Sequence, residues 1–164
     1  MDALAKRIGE RLKTSHQKLV TAESCTGGWA AQVVTSVAGS SQWFERGFVT
    51  YSNEAKQESL GVPSEILKKH GAVSEETARE MALGALRHSK GTLALSITGV
   101  AGPAGGSASK PVGTVCFGWA AKGPAGSAAP ARSETRHFSG DRESVRRQSV
   151  IHALEGVIKL LDSA

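Results

Sequence analysis

Apolar residues recur at helical spacing at Leu4, Ala5, Ile8 and Leu12, which predicts an amphipathic helix over residues 2–14. The run Lys18-Leu-Val-Thr-Ala22 is short and rich in β-formers, and predicts a strand. After the polar turn Glu23-Ser-Cys-Thr-Gly-Gly28, residues Trp29, Ala30, Val33, Val34 and Val37 share one helical face. This segment reads as strand, tight turn, helix. Residues 43–51 carry the aromatic and β-branched content of a second strand. Ser52 or Asn53 can cap a short helix that runs to Leu60 and closes on Gly61, and Pro63 opens a further short turn. Ser74-Glu-Glu76 caps the next helix, with its acids at the positive end of the dipole and a buried stripe of Ala78, Met81, Ala82, Ala85 and Leu86.

Three strands then follow one another: residues 92–98, residues 113–120 (nearly all apolar, as a central strand is) and residues 132–138, whose loose alternation suits an edge. Residues 122–130 read as an exposed flexible loop between the last two. Residues 141–161 form a long helix with Val145, Ile151, Leu154, Val157, Ile158 and Leu161 facing inward. Helices alternate with strands early and strands run together late. The expected fold is therefore α/β, a three-layer α/β/α sandwich on a mixed sheet of about five strands, with residues 1–164 as one domain.

Composition narrows the class. Hydrophobic residues make up 40% of the chain, enough to bury a core, so disorder is excluded. The 19 glycines in 164 residues exceed the usual ~7%, which points to close packing or to loops whose backbone approaches a ligand. No apolar run reaches the ~18–20 residues of a membrane span, and the charged N-terminal segment lacks the apolar core of a secretory signal. Cys25 and Cys116 are too few for a disulfide framework or a four-ligand zinc site. A cytoplasmic location is expected, with no metal and no membrane partner.

The net charge of +5 raises nucleic acid as a partner. Lys and Arg are spread along the chain among acids, and the densest cluster, Arg142, Arg146 and Arg147, lies beside Asp141 and Glu143. Without a basic run interleaved with aromatics, no nucleic acid is expected; an anionic small molecule accounts for the excess equally well.

Four segments could carry chemistry. In residues 21–28, a polar turn joins a strand to a helix, where α/β ligands collect. The helix amides there can hold an anion or oxyanion, and Gly27 and Gly28 would let a substrate approach. The same residues also suit a plain helix cap through Ser24 or Thr26. Ser24 and Cys25 are both candidate nucleophiles, and Cys25 can equally point inward as a small apolar residue. A serine needs a base, and no Ser–His–Asp order is evident. Lys56, which follows Tyr51-Ser-Asn53, can be that base if burial depresses its pKa; otherwise it is a solvated lysine, and Tyr51 a strand aromatic at the rim. The third segment, residues 98–107, holds Gly99, Ala101, Gly102, Gly105 and Gly106. Its amides can form an anion nest or a simple hairpin connection. Neither a P-loop nor a Rossmann pattern fits. Finally, Arg142 can offer a fork to a phosphate or carboxylate, or pair with Glu143 or Asp141.

Together these segments resemble the CinA C-terminal domain family, and within it the stand-alone nicotinamide-nucleotide amidohydrolases. The matching stretches are residues 21–28, 39–41, 44–56, 60–62, 70–75, 98–106, 110–115 and 140–147, in the family order. The resemblance implies hydrolysis of the carboxamide of nicotinamide mononucleotide to nicotinate mononucleotide and ammonia, with no cofactor. Carried over by position, Ser24 is the nucleophile, Lys56 its base, Tyr51 part of the proton network and Arg142 the family's functional arginine. Thr26, Gly27 and Gly28 would hold the oxyanion. Asn53, Gly99, Ala101, Gly102, Gly105, Gly106 and Arg142 would bind the nucleotide. Ala104 stands where many members carry Gly or Asp, and Ala38 where many have Pro; neither change removes a reactive group. Larger members carry an N-terminal domain that this chain is expected to lack. Two other readings stay open: a binding module tied to competence or DNA damage, and an amidase for a different nucleotide amide. A homodimer is expected from the small-residue surfaces and the apolar last helix.

Overall fold

The apolar runs become strands whose alternate side chains face two helical layers. The computed structural model describes residues 1–127 and 130–163. Its helices are α1 (Asp2–Thr14), α2 (Trp29–Thr35), α3 (Asn53–Leu60), α4 (Ser64–His70), α5 (Glu75–Arg87) and α6 (Arg142–Asp162). Its strands are β1 (Leu19–Glu23), β2 (Phe44–Val49), β3 (Leu93–Gly99), β4 (Thr114–Ala121) and β5 (Arg132–His137). The sheet order is β2-β1-β3-β4-β5. β1 is parallel to β2 and β3, whereas β4 is antiparallel to β3 and β5. The expected mixed five-stranded sandwich is the fold observed.

Period-two alternation in the strands builds the layers. On one face Leu93, Leu95 and Ile97 pack with Leu19, Phe117 and residues of α1, α2 and α6. On the other, Val20, Ala22, Ala94 and Ala120 meet Leu60, Met81, Ala82 and Leu86 of the α3–α5 layer. The small residues on this second face let α5 sit close. A Cβ at Gly118 would overlap the Ala78 carbonyl oxygen, which gives part of the glycine excess a packing role.

Three local expectations change. Residues 64–70 form a seven-residue helix after Pro63 rather than a turn. In α6 Val150 is fully buried while Ile151 is only half-buried, so the inward stripe is rotated by one residue there. Trp43 precedes β2 rather than joining it, and its buried ring fills the space over Gly9. Residues 128 and 129 of the expected 122–130 loop lie outside the described residues. No helix among the described residues is long and apolar enough to cross a membrane.

The topology also sets the site. Parallel β2, β1 and β3 all end at the same sheet edge, so the segments after Glu23, Val49 and Gly99 converge there. β5 ends at that edge too, because Thr114 pairs with His137 while Val115 pairs with Gly99, and it delivers the start of α6.

Candidate active site

Ser24 leaves β1 with its N–H on the Ile97 carbonyl (2.9 Å), which anchors the turn to β3. Thr50, just past β2, donates its N–H to the Glu23 carbonyl (2.8 Å). The Ser52 side chain then caps α3 by accepting from the Ala55 N–H (3.1 Å). Lys56 therefore lies in the first turn of α3, aimed back over the end of β1. It is 1% exposed. Its Nζ lies 3.0 Å from Ser24 Oγ and 2.9 Å from the Thr50 carbonyl oxygen.

The Ser24 side forms one wall of a cleft of about 270 Å³. Gly99, Ala101 and Gly102 line it, as do Gly105 and Gly106. Ala101, Gly102, Ala104, Gly105 and Gly106 have no hydrogen-bond acceptor for their N–H groups among the described residues. Gly102, Gly105 and Gly106 hold φ between +82° and +88°. The loop is thus a run of unsatisfied donors with little side chain, the composition of an anion nest. Arg142, at the start of α6, closes the far wall. It donates to the Gly102 carbonyl (2.8 Å) and to Tyr51 Oη (3.0 Å). Tyr51 is an exposed ring on the rim, and its recorded hydrogen bond is to Arg142, not to Lys56.

The structure does not bring Thr26, Gly27, Gly28 or Asn53 to the cleft. Glu23 is fully buried, and its carboxylate accepts from Thr26 Oγ1 (2.7 Å), Ala30 N–H (2.8 Å) and Ala31 N–H (3.1 Å). An internal anion therefore fills the place at the start of α2 where an external one was expected. The Gly27 N–H is spent on the Ser24 carbonyl (3.0 Å). Gly27 and Gly28 serve the turn itself, with φ +61° and +102°. Asn53 is exposed at the start of α3.

A larger cleft of about 610 Å³ lies beside α5. Its Glu75 carboxylate already accepts from Ser133 and Thr135 at 2.8 Å each, and burial pushes its Cys116 thiol up. Among the described residues that line it, no serine hydroxyl is hydrogen-bonded to a lysine side chain.

The model of the CinA C-terminal domain matches residues 1–161. The chain belongs to the CinA C-terminal domain family. Nicotinamide-nucleotide amidohydrolase PncC of Escherichia coli strain K12 is 54% identical over 156 residues, covering 93% of this chain and 89% of that protein. PncC of Pseudomonas putida is 50% identical, covering 96% and 94%. The crystal structure of competence/damage inducible protein CihA from Agrobacterium tumefaciens superposes with a TM-score of 0.89 at 44% identity, over 97% of this chain and 94% of that one.

In this CinA domain the two candidate nucleophiles are separated by their surroundings. Burial pushes the Cys25 thiol up to about 12, so it stays protonated at neutral pH. Burial acts on Lys56 in the opposite sense and holds its ammonium below the ordinary lysine value. The one opposing influence on Lys56 is a Cys25 thiolate, and that thiolate is absent at neutral pH. A lysine so placed gives up its proton more readily than one in water.

Sequence reasoning missed three contributors: Glu23, the Thr50 carbonyl and Arg146. Arg146 donates to the carbonyls of Cys25 (3.1 Å) and Thr26 (3.0 Å). Its spacing of four from Arg142, on one helical face, was the available signal.

Proposed function

We propose that this amidohydrolase acts on the carboxamide of nicotinamide mononucleotide, with Ser24 as nucleophile and Lys56 as its base. The observation that carries the reading is the 3.0 Å contact between Ser24 Oγ and the buried Lys56 Nζ, beside a cleft walled by free amides. The Thr50 carbonyl holds one N–H of the amine, which leaves its lone pair free to face Oγ once the amine is neutral. Ser24 Oγ attacks the carboxamide carbon as Lys56 takes its proton. Lys56 then returns that proton to the departing nitrogen, and ammonia leaves. The acyl group remains as an ester on Ser24. Water attacks this ester while Lys56 accepts a proton, and the proton goes back to Ser24 as nicotinate mononucleotide departs.

The nucleotide reading rests on charge. The pyridine ring of the mononucleotide is a cation, which favours a neutral Lys56 beside it and suits the exposed face of Tyr51. The 101–106 amides and Arg142 offer donors for the phosphate or ribose. Tyr51 thus works with Arg142 on the nucleotide, in place of the proton relay that the resemblance implied.

A panel of amides with ammonia as readout tests this. Nicotinamide mononucleotide should turn over and free nicotinamide should not, with the phosphate-free riboside showing a raised KM. Preference for another nucleotide amide would shift the substrate. Release of no ammonia from any amide would leave a binding module.

A further inference from the structure

Arg146 lies one turn beyond Arg142 on α6, yet it is absent from the walls of the cleft. Its guanidinium packs 5.5 Å from the centre of the Trp29 ring and forks across two successive carbonyls, those of Cys25 and Thr26. Glu23 grips the other side of the same turn through the Thr26 hydroxyl and two helix amides. A cation thus holds the carbonyls while an anion holds the donors.

The consequence follows from peptide geometry. In a planar trans peptide the C=O and N–H point in opposite directions. The peptide that carries the Cys25 N–H is held at its Ser24 carbonyl by the Gly27 N–H (3.0 Å), and the peptide that carries that Gly27 N–H is held in turn at its Thr26 carbonyl by Arg146 (3.0 Å). Arg146 therefore sets the Cys25 N–H through one intervening peptide, the one between Thr26 and Gly27. Among the described residues the Cys25 N–H has no acceptor beyond its own thiol, and Cys25 lines the cleft beside Ser24. The amide of the residue after a nucleophilic serine is well placed to hold the oxyanion.

We propose that Arg146 is a positioning residue that orients the Cys25 N–H as the oxyanion donor. The proposal rests on Ser24 being the nucleophile. A lysine cannot replace Arg146, because a point charge cannot bridge two carbonyls as a planar fork does.

The test compares Arg146→Ala, Arg146→Lys and Arg142→Ala on nicotinamide mononucleotide, with thermal midpoints measured in parallel. Both Arg146 variants should lose about 10²-fold in kcat with KM within about twofold of wild type. Arg142→Ala should instead raise KM. Added methylguanidinium should restore part of the Arg146→Ala rate, and the pH at which Lys56 titrates should stay where it is. If Arg146→Ala fails to fold, Arg146→Lys carries the test, since it keeps the alkyl packing and the charge. A folded Arg146 variant with wild-type kcat, or one changed only in KM, overturns the proposal. Ser24→Ala in the same series separates the two readings. If Ser24→Ala stays active, the nucleophile reading fails and takes this proposal with it. If Ser24→Ala is dead and the Arg146 variants match wild type, this proposal alone fails.

Discussion

Ser24→Ala should lose at least about 10⁴-fold in ammonia release from nicotinamide mononucleotide. The neighbouring Cys25→Ala should keep most of the wild-type rate. The contrast is sharp because both residues line one cleft and both are nucleophiles in principle. What divides them is the proton. Ser24 Oγ sits 3.0 Å from an amine that can take its proton. With the Cys25 thiol pushed up to about 12, only on the order of 10⁻⁵ of it is thiolate at pH 7. Steady-state ammonia assays on the two variants, with folded content checked by thermal melting, decide the matter. Equal losses in both would point to a damaged turn rather than to a lost nucleophile.

Lys56→Met carries the second large effect. It removes the base while keeping most of the buried volume, and kcat should fall by about 10³–10⁴-fold with little change in KM. In the wild type, kcat/KM should rise with pH through a value below the ordinary lysine ~10.4, since only the neutral amine can take the Ser24 proton. The same lysine leaves a mark on stability. Its folded pKa is lowered, so between that value and ~10.4 the unfolded chain holds a proton that the folded chain has lost. Stability from this group therefore rises with pH across that window, and Lys56→Met lacks the effect. Thermal midpoints should show the wild type gaining on the variant as pH is raised from about 7 toward 10. A constant difference would mean that Lys56 keeps its proton on folding and does not serve as the base.

Much of this was legible because periodicity reports local structure. The β1–turn–α2 segment, the apolar β3 and β4 and the long α6 follow directly from which faces are apolar. The helix of residues 64–70 was not legible, because seven residues after a proline show too little of a stripe. The site divides in the same way. Ser24 and Lys56 stand in short motifs next to strand ends, and parallel strands bring such ends together. The Arg146 contacts join residues 120 and 121 positions apart, which no periodicity encodes. The expectation for the start of α2 turned on one side chain. Its free amides looked open to a ligand until the structure placed the Glu23 carboxylate on them. The glycines divide likewise between Gly118, which admits α5, and the 102–106 loop, which bares its amides to the cleft.

The central claim is that substrate becomes covalently attached to Ser24. Turnover mixtures quenched on the millisecond scale and digested for mass spectrometry test it most directly, with hydroxylamine added to intercept any ester. The account predicts a peptide bearing the nicotinoyl nucleotide on Ser24, and in hydroxylamine a hydroxamate formed at the expense of the acid while ammonia release continues. A Ser24 peptide that stays unmodified throughout turnover, with ammonia and acid released one to one even in hydroxylamine, would contradict it.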